Sequence, residues 1–183
     1  MKKLKIAPDW TLFLDRDGVL NERLPGQYIR NLSEFRFLPN IPDVIGELTR
    51  LFARIIIVTN QQGIGKGLMT VEDLESIHRH MRDELRKKGG IIDGIYFCKE
   101  LAGKPGNCRK PSPSMGYQAV KDFPEIDFEK SVMVGDSITD IGFGLNLRMK
   151  TVLVGEKLGY QENSKIQPDL VLPALGDLLA VIE

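Results

Sequence analysis

The chain has 183 residues, and 25 basic side chains balance 25 acidic ones, so its formal net charge is +0. This balance removes the electrostatic reason to expect nucleic acid or an anionic membrane as a partner, and favours a small soluble molecule. No apolar run approaches the roughly 20 residues of a membrane span, and the polar start predicts no signal peptide. We therefore expect a cytoplasmic, monomeric protein that folds as one domain over residues 1–183.

Strand-like and helix-like patterns alternate along the chain, which predicts an α/β fold with a doubly wound, mostly parallel sheet. Short apolar runs predict strands buried on both faces at Trp10–Leu14, Ile55–Val58, Ile95–Cys98, Val132–Val134, Thr151–Val154 and Leu170–Leu172. In such sheets ligands bind beyond the carboxyl ends of the strands. The residues that follow each strand are therefore the candidate site residues.

The clearest helical pattern places apolar residues at helical spacing from Leu74 to Leu85. Thr70 is positioned to cap the start of this helix, and Gly89 and Gly90 to end it. Weaker helical patterns predict helices at Asp43–Leu51, Ser114–Asp122, Thr139–Leu147 and Leu175–Ile182.

Acidic residues follow the first and the fourth strand. Asp15 and Asp17 come directly after the first apolar run, and Asp136 and Asp140 follow the fourth. Ser137 is expected to cap the next helix. Carboxylates that meet at one edge of a sheet repel each other and require a cation, and ligation by oxygen alone suits Mg²⁺.

The second strand ends in Thr59 and Asn60, whose hydroxyl and amide can bind phosphoryl oxygens. A P-loop is excluded, because that motif needs Gly in place of Asn60 and Ser or Thr in place of Gly67. The third strand is followed by Arg109 and Lys110. A fixed Lys would stabilise both an aspartate and a phosphate, and Arg can bind a second phosphate or sugar oxygens.

These four motifs, in this order, resemble those of the haloacid dehalogenase superfamily of phosphatases. The segments DRDGVLNE, VTNQQGIGKG, CRKP and VGDSITD are similar, more closely, to its branch of heptose bisphosphate and histidinol phosphatases. The resemblance covers roughly residues 10–155. Many members of this superfamily cover the site with a separate cap domain, but neither the stretch from Asp17 to Ile41 nor that from Asn60 to Arg109 leaves room for one here, so we expect a fold without a cap.

The resemblance also implies the roles of the site residues. Asp15 is the expected nucleophile that forms an aspartyl-phosphate, and Asp17 the expected acid and then base. The other expected roles are phosphate contacts by Thr59 and Lys110, Mg²⁺ ligation by Asp15, Asp136 and the Asp17 carbonyl, and orientation of Lys110 or a water by Asp140.

Three loops would line the open site and select the substrate: Asn21–Arg30, Gln61–Met69 and Lys99–Asn107. The candidate substrate-binding residues are Asn60, Gln61, Gln62 and Arg109. We favour removal of the C7 phosphate of D-glycero-D-manno-heptose 1,7-bisphosphate, because Gly26–Ile29 and the Arg109-Lys110 pair resemble that branch. Histidinol phosphate or another small sugar phosphate is the alternative substrate.

An alternative from another class is a phospho-accepting signalling module, whose doubly wound fold also gathers acids, a Thr and a Lys. In such modules the acids after the first strand are adjacent, and the phosphorylated Asp follows a later strand. Here Arg16 separates the two acids, and the second strand ends in Thr59 without an Asp. The sequence therefore favours the phosphatase.

The branch typically carries a zinc loop built from Cys-x-His and Cys-x-Cys. Only Cys98 and Cys108 stand at the corresponding positions here, and closed zinc sites need four such ligands. We therefore do not expect structural zinc. The two cysteines are predicted to be reduced thiols, either remnants of that loop or packing residues.

Overall fold

The structure is a computed structural model that describes residues 3–24, 26–161 and 165–183. Its six-stranded sheet has the order β3-β2-β1-β4-β5-β6, and all adjacent strands pair in parallel. The strands are β1 (Thr11–Leu14), β2 (Arg54–Asn60), β3 (Gly94–Cys98), β4 (Ser131–Ser137), β5 (Lys150–Leu158) and β6 (Leu170–Val171). The predicted doubly wound parallel sheet is confirmed. Its order reverses between β1 and β4, which is where such sheets bind ligands.

Helices cover both faces of the sheet because its central strands are apolar on both sides. Leu12 and Leu14 pack into one core cluster with residues of the helices α1 (Ile41–Leu48) and α3 (Val71–Arg86). Phe13 points to the opposite face and packs with residues of α4 (Ser114–Asp122) and α5 (Ile138–Asn146). Alternate side chains of a strand face opposite ways, so β1 contributes to both cores.

The helix boundaries differ from the predictions at several places. α4 begins and ends where predicted, whereas α1 begins two residues earlier, because Pro42 is tolerated in a first turn. A one-turn helix, α2 (Gln62–Gly65), was not predicted. The C-terminal helix predicted at Leu175–Ile182 is present but shorter, because Leu175–Ala180 forms a 3₁₀ helix, a conformation used in short segments.

Loops and short bridges connect β1 to α1 in the described residues, without a separate folding unit. Asn21 bridges both Asp17 and Phe37, which ties this connection to the sheet edge. Pro25, inside the predicted loop Asn21–Arg30, lies outside the described residues. None of the helices in the described ranges is long and apolar enough to span a bilayer.

α3 starts with the predicted cap. The Thr70 hydroxyl oxygen accepts a hydrogen bond from the Asp73 backbone N–H at 3.1 Å, and the Asp73 carboxylate accepts one from the Thr70 N–H at 2.8 Å. This reciprocal pair satisfies two backbone groups that would otherwise lack partners in the helix.

Replacing Thr70 with Ala should therefore lower the free energy of unfolding by about 1 kcal/mol. Urea titration followed by circular dichroism measures this loss. Glu75→Ala, on the exposed face of the same helix, is the control and should change stability by less than about 0.5 kcal/mol. Equal effects of the two substitutions would contradict the capping role.

Candidate active site

A cleft of about 460 Å³ opens at the carboxyl ends of β1, β2 and β4. The polar side chains that line it include Asp15, Asp17, Arg23, Thr59, Asn60, Gln61, Gln62, Arg109, Lys110 and Asp140. Asp136 is fully buried beside the cleft, where Arg23 is bonded to it. The residues predicted from four separate strand ends are therefore brought together in one place.

A buried ammonium group lies at the centre of this cleft. Lys110 Nζ is 2.8 Å from Asp15 Oδ1 and 2.6 Å from Asp140 Oδ1, and it also donates to the Val58 carbonyl at 2.7 Å. Burial alone would lower the pKa of Lys110, but the charges of Asp140 and Asp15 raise it above its ordinary value. Lys110 is therefore a fixed cation beside the predicted nucleophile.

Three acids of the site lie close to one another. One carboxylate oxygen each from Asp15, Asp136 and Asp140 lie within 4.8 Å of one another. Burial, reinforced by mutual repulsion, raises the pKa of Asp15 to about 6 and that of Asp136 to about 7. The Asp136 carboxylate also lies close to Gly18, where a Cβ would overlap it, and the φ of 88° at this position suits glycine.

The donor set fits a small divalent cation. The Asp15 and Asp136 carboxylates and the Asp17 backbone carbonyl converge on the Arg23 guanidinium, so a single cation reaches all three groups. All three donors are oxygens, the ligands that Mg²⁺ prefers. The site residues therefore offer the kind of donors that the predicted metal prefers.

Asp17 lies in a different environment from Asp15. Its carboxylate accepts hydrogen bonds from Arg16 at 2.8 Å, Asn21 at 2.9 Å and Gln61 at 2.8 Å. Although burial acts in the opposite direction, the Arg16 charge and these hydrogen bonds lower the pKa of Asp17. The pKa order of the two aspartates is thus the reverse of the one that an ionised Asp15 and a protonated Asp17 would need.

Arg16 is itself held in place by a buried histidine. Arg16 Nη1 lies 3.2 Å from His78 Nε2, and both side chains are buried. Since guanidinium only donates, Nε2 must accept, which requires a neutral ring. Burial, together with the Arg16 charge, lowers the pKa of His78 to about 3.

The remaining predicted residues divide into two groups. Thr59 Oγ1 accepts a hydrogen bond from Gln61 at 2.9 Å, and Asn60 Oδ1 accepts the Lys110 backbone N–H at 3.0 Å. The side chains of Gln61 and Asn60 therefore already make hydrogen bonds within the protein. Gln62 and Arg109 lie in the cleft wall, where Gln62 donates to the Tyr28 hydroxyl at 2.7 Å.

Arg23 is the main site residue that sequence reasoning missed. Its guanidinium donates to Asp136 Oδ1 at 2.7 Å, to Asp136 Oδ2 at 3.1 Å and to the Asp17 carbonyl at 3.0 Å. No motif or spacing in the sequence pairs it with Asp136, which lies 113 residues away. Arg16, Asn21 and His78 were also missed; the contact of Arg16 with His78 spans 62 residues, whereas Asn21 lies only four residues from Asp17.

The prediction that Cys98 and Cys108 are reduced thiols was wrong. Cys98 and Cys108 form a disulfide that joins the end of β3 to the residue before Arg109. Their Cα atoms are 5.6 Å apart, within the range that a disulfide bridges, because the loop between them returns to the strand end. Sequence spacing did not show that proximity.

Comparison with known proteins agrees with the fold. A family model described as HAD-hydrolase-like matches residues 107–178. The chain is 38% identical over 138 residues to the D-glycero-alpha-D-manno-heptose-1,7-bisphosphate 7-phosphatase of Mycobacterium bovis, a match that covers 75% of this chain and 73% of that relative. Identity to the corresponding beta-heptose enzyme of Pasteurella multocida is 33%, covering 94% of this chain and 96% of that relative.

Among solved structures, the D,D-heptose 1,7-bisphosphate phosphatase from B. bronchiseptica matches with a TM-score of 0.81. It is 27% identical, the match covers 91% of this chain and 94% of that chain, and that protein was crystallised with magnesium and phosphate. The similarity to these phosphatases identifies the chain as a phosphoric monoester hydrolase. The chain belongs to the haloacid dehalogenase-like hydrolases, in the branch of the heptose bisphosphate phosphatases.

The buried neutral His78 should make stability depend on pH. Its pKa is about 3 in the folded chain and about 6.5 in the unfolded chain, so between these values the unfolded state binds more protons. His78 alone should therefore lower the free energy of unfolding by up to about 1.4 kcal/mol for each unit that the pH drops through this range, and the raised pKa values of Asp15 and Asp136 act in the opposite direction. Urea titrations between about pH 6 and pH 4 measure this slope.

His78→Gln should remove the His78 contribution, so that the free energy of unfolding falls less, or rises more, as the pH drops than in the wild type, because an amide oxygen can still accept from Arg16 but does not titrate. His80→Gln, on the exposed side of the same helix, is the matched control and should keep the wild-type slope. A His78→Gln protein with the wild-type slope would show that His78 is not held neutral.

Proposed function

We propose that this chain is a Mg²⁺-dependent phosphatase that removes the C7 phosphate of D-glycero-D-manno-heptose 1,7-bisphosphate through an aspartyl-phosphate on Asp15. The main observation in support of this proposal is that the Asp15 carboxylate contacts Lys110 Nζ at the floor of an open cleft. The names of the relatives from Mycobacterium bovis and Pasteurella multocida support the substrate.

In the first step, an Asp15 carboxylate oxygen attacks the phosphorus and the bond from phosphorus to the sugar oxygen breaks. Lys110 lies 2.8 Å from Asp15 and can contact both the nucleophile and a phosphoryl oxygen. The Thr59 hydroxyl lines the same cleft and can donate to another phosphoryl oxygen, because its own oxygen already accepts from Gln61.

Asp17 is assigned the proton transfers. It gives a proton to the departing sugar oxygen, then takes one from the water that cleaves the aspartyl-phosphate and releases inorganic phosphate. Arg16, Asn21 and Gln61 hold its carboxylate at the cleft in one orientation. An anionic phosphate beside Asp17 raises its proton affinity, in opposition to the Arg16 charge.

Mg²⁺ would be held by the Asp15 and Asp136 carboxylates and the Asp17 carbonyl. When bound, it reduces the repulsion between the nucleophile and the phosphate and orients both. Asp140 is assigned to orient Lys110, which it contacts at 2.6 Å.

Substrate recognition is assigned to the cleft wall. Arg109 and Gln62 lie beside Tyr28, within reach of a sugar or of a second phosphate. Lys66 lies over the Tyr28 ring, which adds another cation to this wall. A bisphosphate suits a cleft with cations on both its floor and its wall. The cytoplasmic location and the monomeric state remain predictions.

Asp15→Asn should lower kcat for phosphate release by at least about 10³-fold, because the amide cannot serve as the nucleophile. Phosphate release with Mg²⁺ present, and circular dichroism of the folded protein, are the measurements. Asp9→Asn, an exposed acid paired with Lys130, is the control and should keep full activity. Substantial turnover by Asp15→Asn would refute the nucleophile assignment.

The substrate assignment predicts a ranking of kcat/KM values. Both anomers of heptose 1,7-bisphosphate should be hydrolysed more efficiently than histidinol phosphate or simple sugar monophosphates. Arg109→Met should lower kcat/KM for the bisphosphate more than for a monophosphate, if Arg109 binds the second phosphate. Equal kcat/KM values across the panel would contradict selection by the cleft wall.

A further inference from the structure

The Arg23 guanidinium bonds to the oxygens that the proposed function assigns to Mg²⁺. It contacts both Asp136 carboxylate oxygens, at 2.7 and 3.1 Å, and the Asp17 carbonyl at 3.0 Å. It also lies 3.9 Å from Asp15 Oδ2. The Arg23 guanidinium therefore occupies the same oxygens that a bound metal ion would need as ligands.

The charges of the site explain why a cation is held there. Asp15, Asp136 and Asp140 are buried together, and Lys110 is the buried cation that pairs with Asp15 and Asp140. Asp136 has its ion pair with Arg23 instead. A buried carboxylate without a partner is strongly destabilising, so Arg23 supplies the compensation that Asp136 requires.

Arg23 is also placed so that its guanidinium can move away from Asp136. Its side chain is 32% exposed, whereas that of Asp136 is fully buried. Its Cα belongs to the loop that lines the cleft, so the guanidinium can move into the cleft while its backbone stays in place. A long, flexible side chain at such a position can exchange between the acid and solvent.

We propose that Arg23 is an exchangeable internal counter-ion of the metal site, which neutralises Asp136 in the absence of a divalent cation and which Mg²⁺ must displace to bind. This inference rests on the proposed function, because that function assigns Mg²⁺ to the same oxygens. The apparent Mg²⁺ affinity of the wild-type protein is then reduced by the fraction of molecules in which Arg23 occupies the ligands.

Arg23→Met removes the competing cation and keeps much of the side-chain volume. Isothermal titration calorimetry at constant ionic strength should show Mg²⁺ binding roughly tenfold tighter than in the wild type, as expected for loss of charge-assisted hydrogen bonds. In EDTA the variant should melt at a lower temperature than the wild type. Saturating Mg²⁺ should raise its melting temperature by more than it raises that of the wild type.

Arg30→Met is the matched control, because it removes the same charge from the same loop but disrupts only the exposed pair with Glu34. Its Mg²⁺ affinity should stay within about twofold of the wild type, as surface charges are screened. Arg23→Lys keeps the charge without the planar fork and should bind Mg²⁺ with intermediate affinity. It also tests the inference if Arg23→Met does not fold.

Unchanged or weaker Mg²⁺ binding by Arg23→Met would overturn the inference and leave the proposed function intact. So would equal tightening in Arg30→Met, because the effect would then be general electrostatics. If the wild type and all variants failed to bind Mg²⁺, the metal assignment of the proposed function would fail with it.

Discussion

The ion pairs of Lys110 connect parts of the chain that are far apart in sequence. Its ammonium contacts Asp15 after β1, Asp140 in α5 and the Val58 carbonyl in β2. Buried charges of this kind are tolerated only when every member is paired. The ends of β1 and β2 and the start of α5 must therefore lie close together. The parallel sheet, whose order reverses between β1 and β4, brings them to the same edge.

The two aspartates of the first strand end differ because their partners differ. Asp15 faces Lys110 and two other acids, so burial and repulsion raise its pKa to about 6. Asp17 faces Arg16, and its pKa is lowered despite burial. A divalent cation beside Asp15 and an anionic phosphate beside Asp17 would each move the pKa in the direction that the proposed roles require. The catalytic protonation pattern thus depends on ligands as well as on the fold.

The sequence predicted those features that depend on local pattern. Apolar runs with polar ends located the strands, and the Thr70 cap marked the start of the long helix. Asp15, Lys110 and Asp136 could be assigned to one site because the carboxyl ends of parallel strands share an edge of the sheet. α4 was predicted to the residue, although its helical pattern was one of the weaker ones.

The features that were missed depend on long-range contacts of side chains. Arg23 contacts Asp136 across 113 residues, and Arg16 contacts His78 across 62. Such pairs follow from how the loops pack, which hydrophobic periodicity does not report. The Cys98–Cys108 disulfide was missed for the same reason, because spacing along the chain gives no distance between the two Cβ atoms.

The most direct test of this account is to identify the residue that carries the phosphoryl group during turnover. Wild-type protein would be mixed with heptose 1,7-bisphosphate and Mg²⁺, quenched in acid within the first turnover, digested at low pH and analysed by mass spectrometry. We expect the mass of one phosphoryl group on Asp15, formed and lost at rates consistent with kcat. A phosphoryl group on another residue, or hydrolysis without any phosphorylated protein, would contradict it.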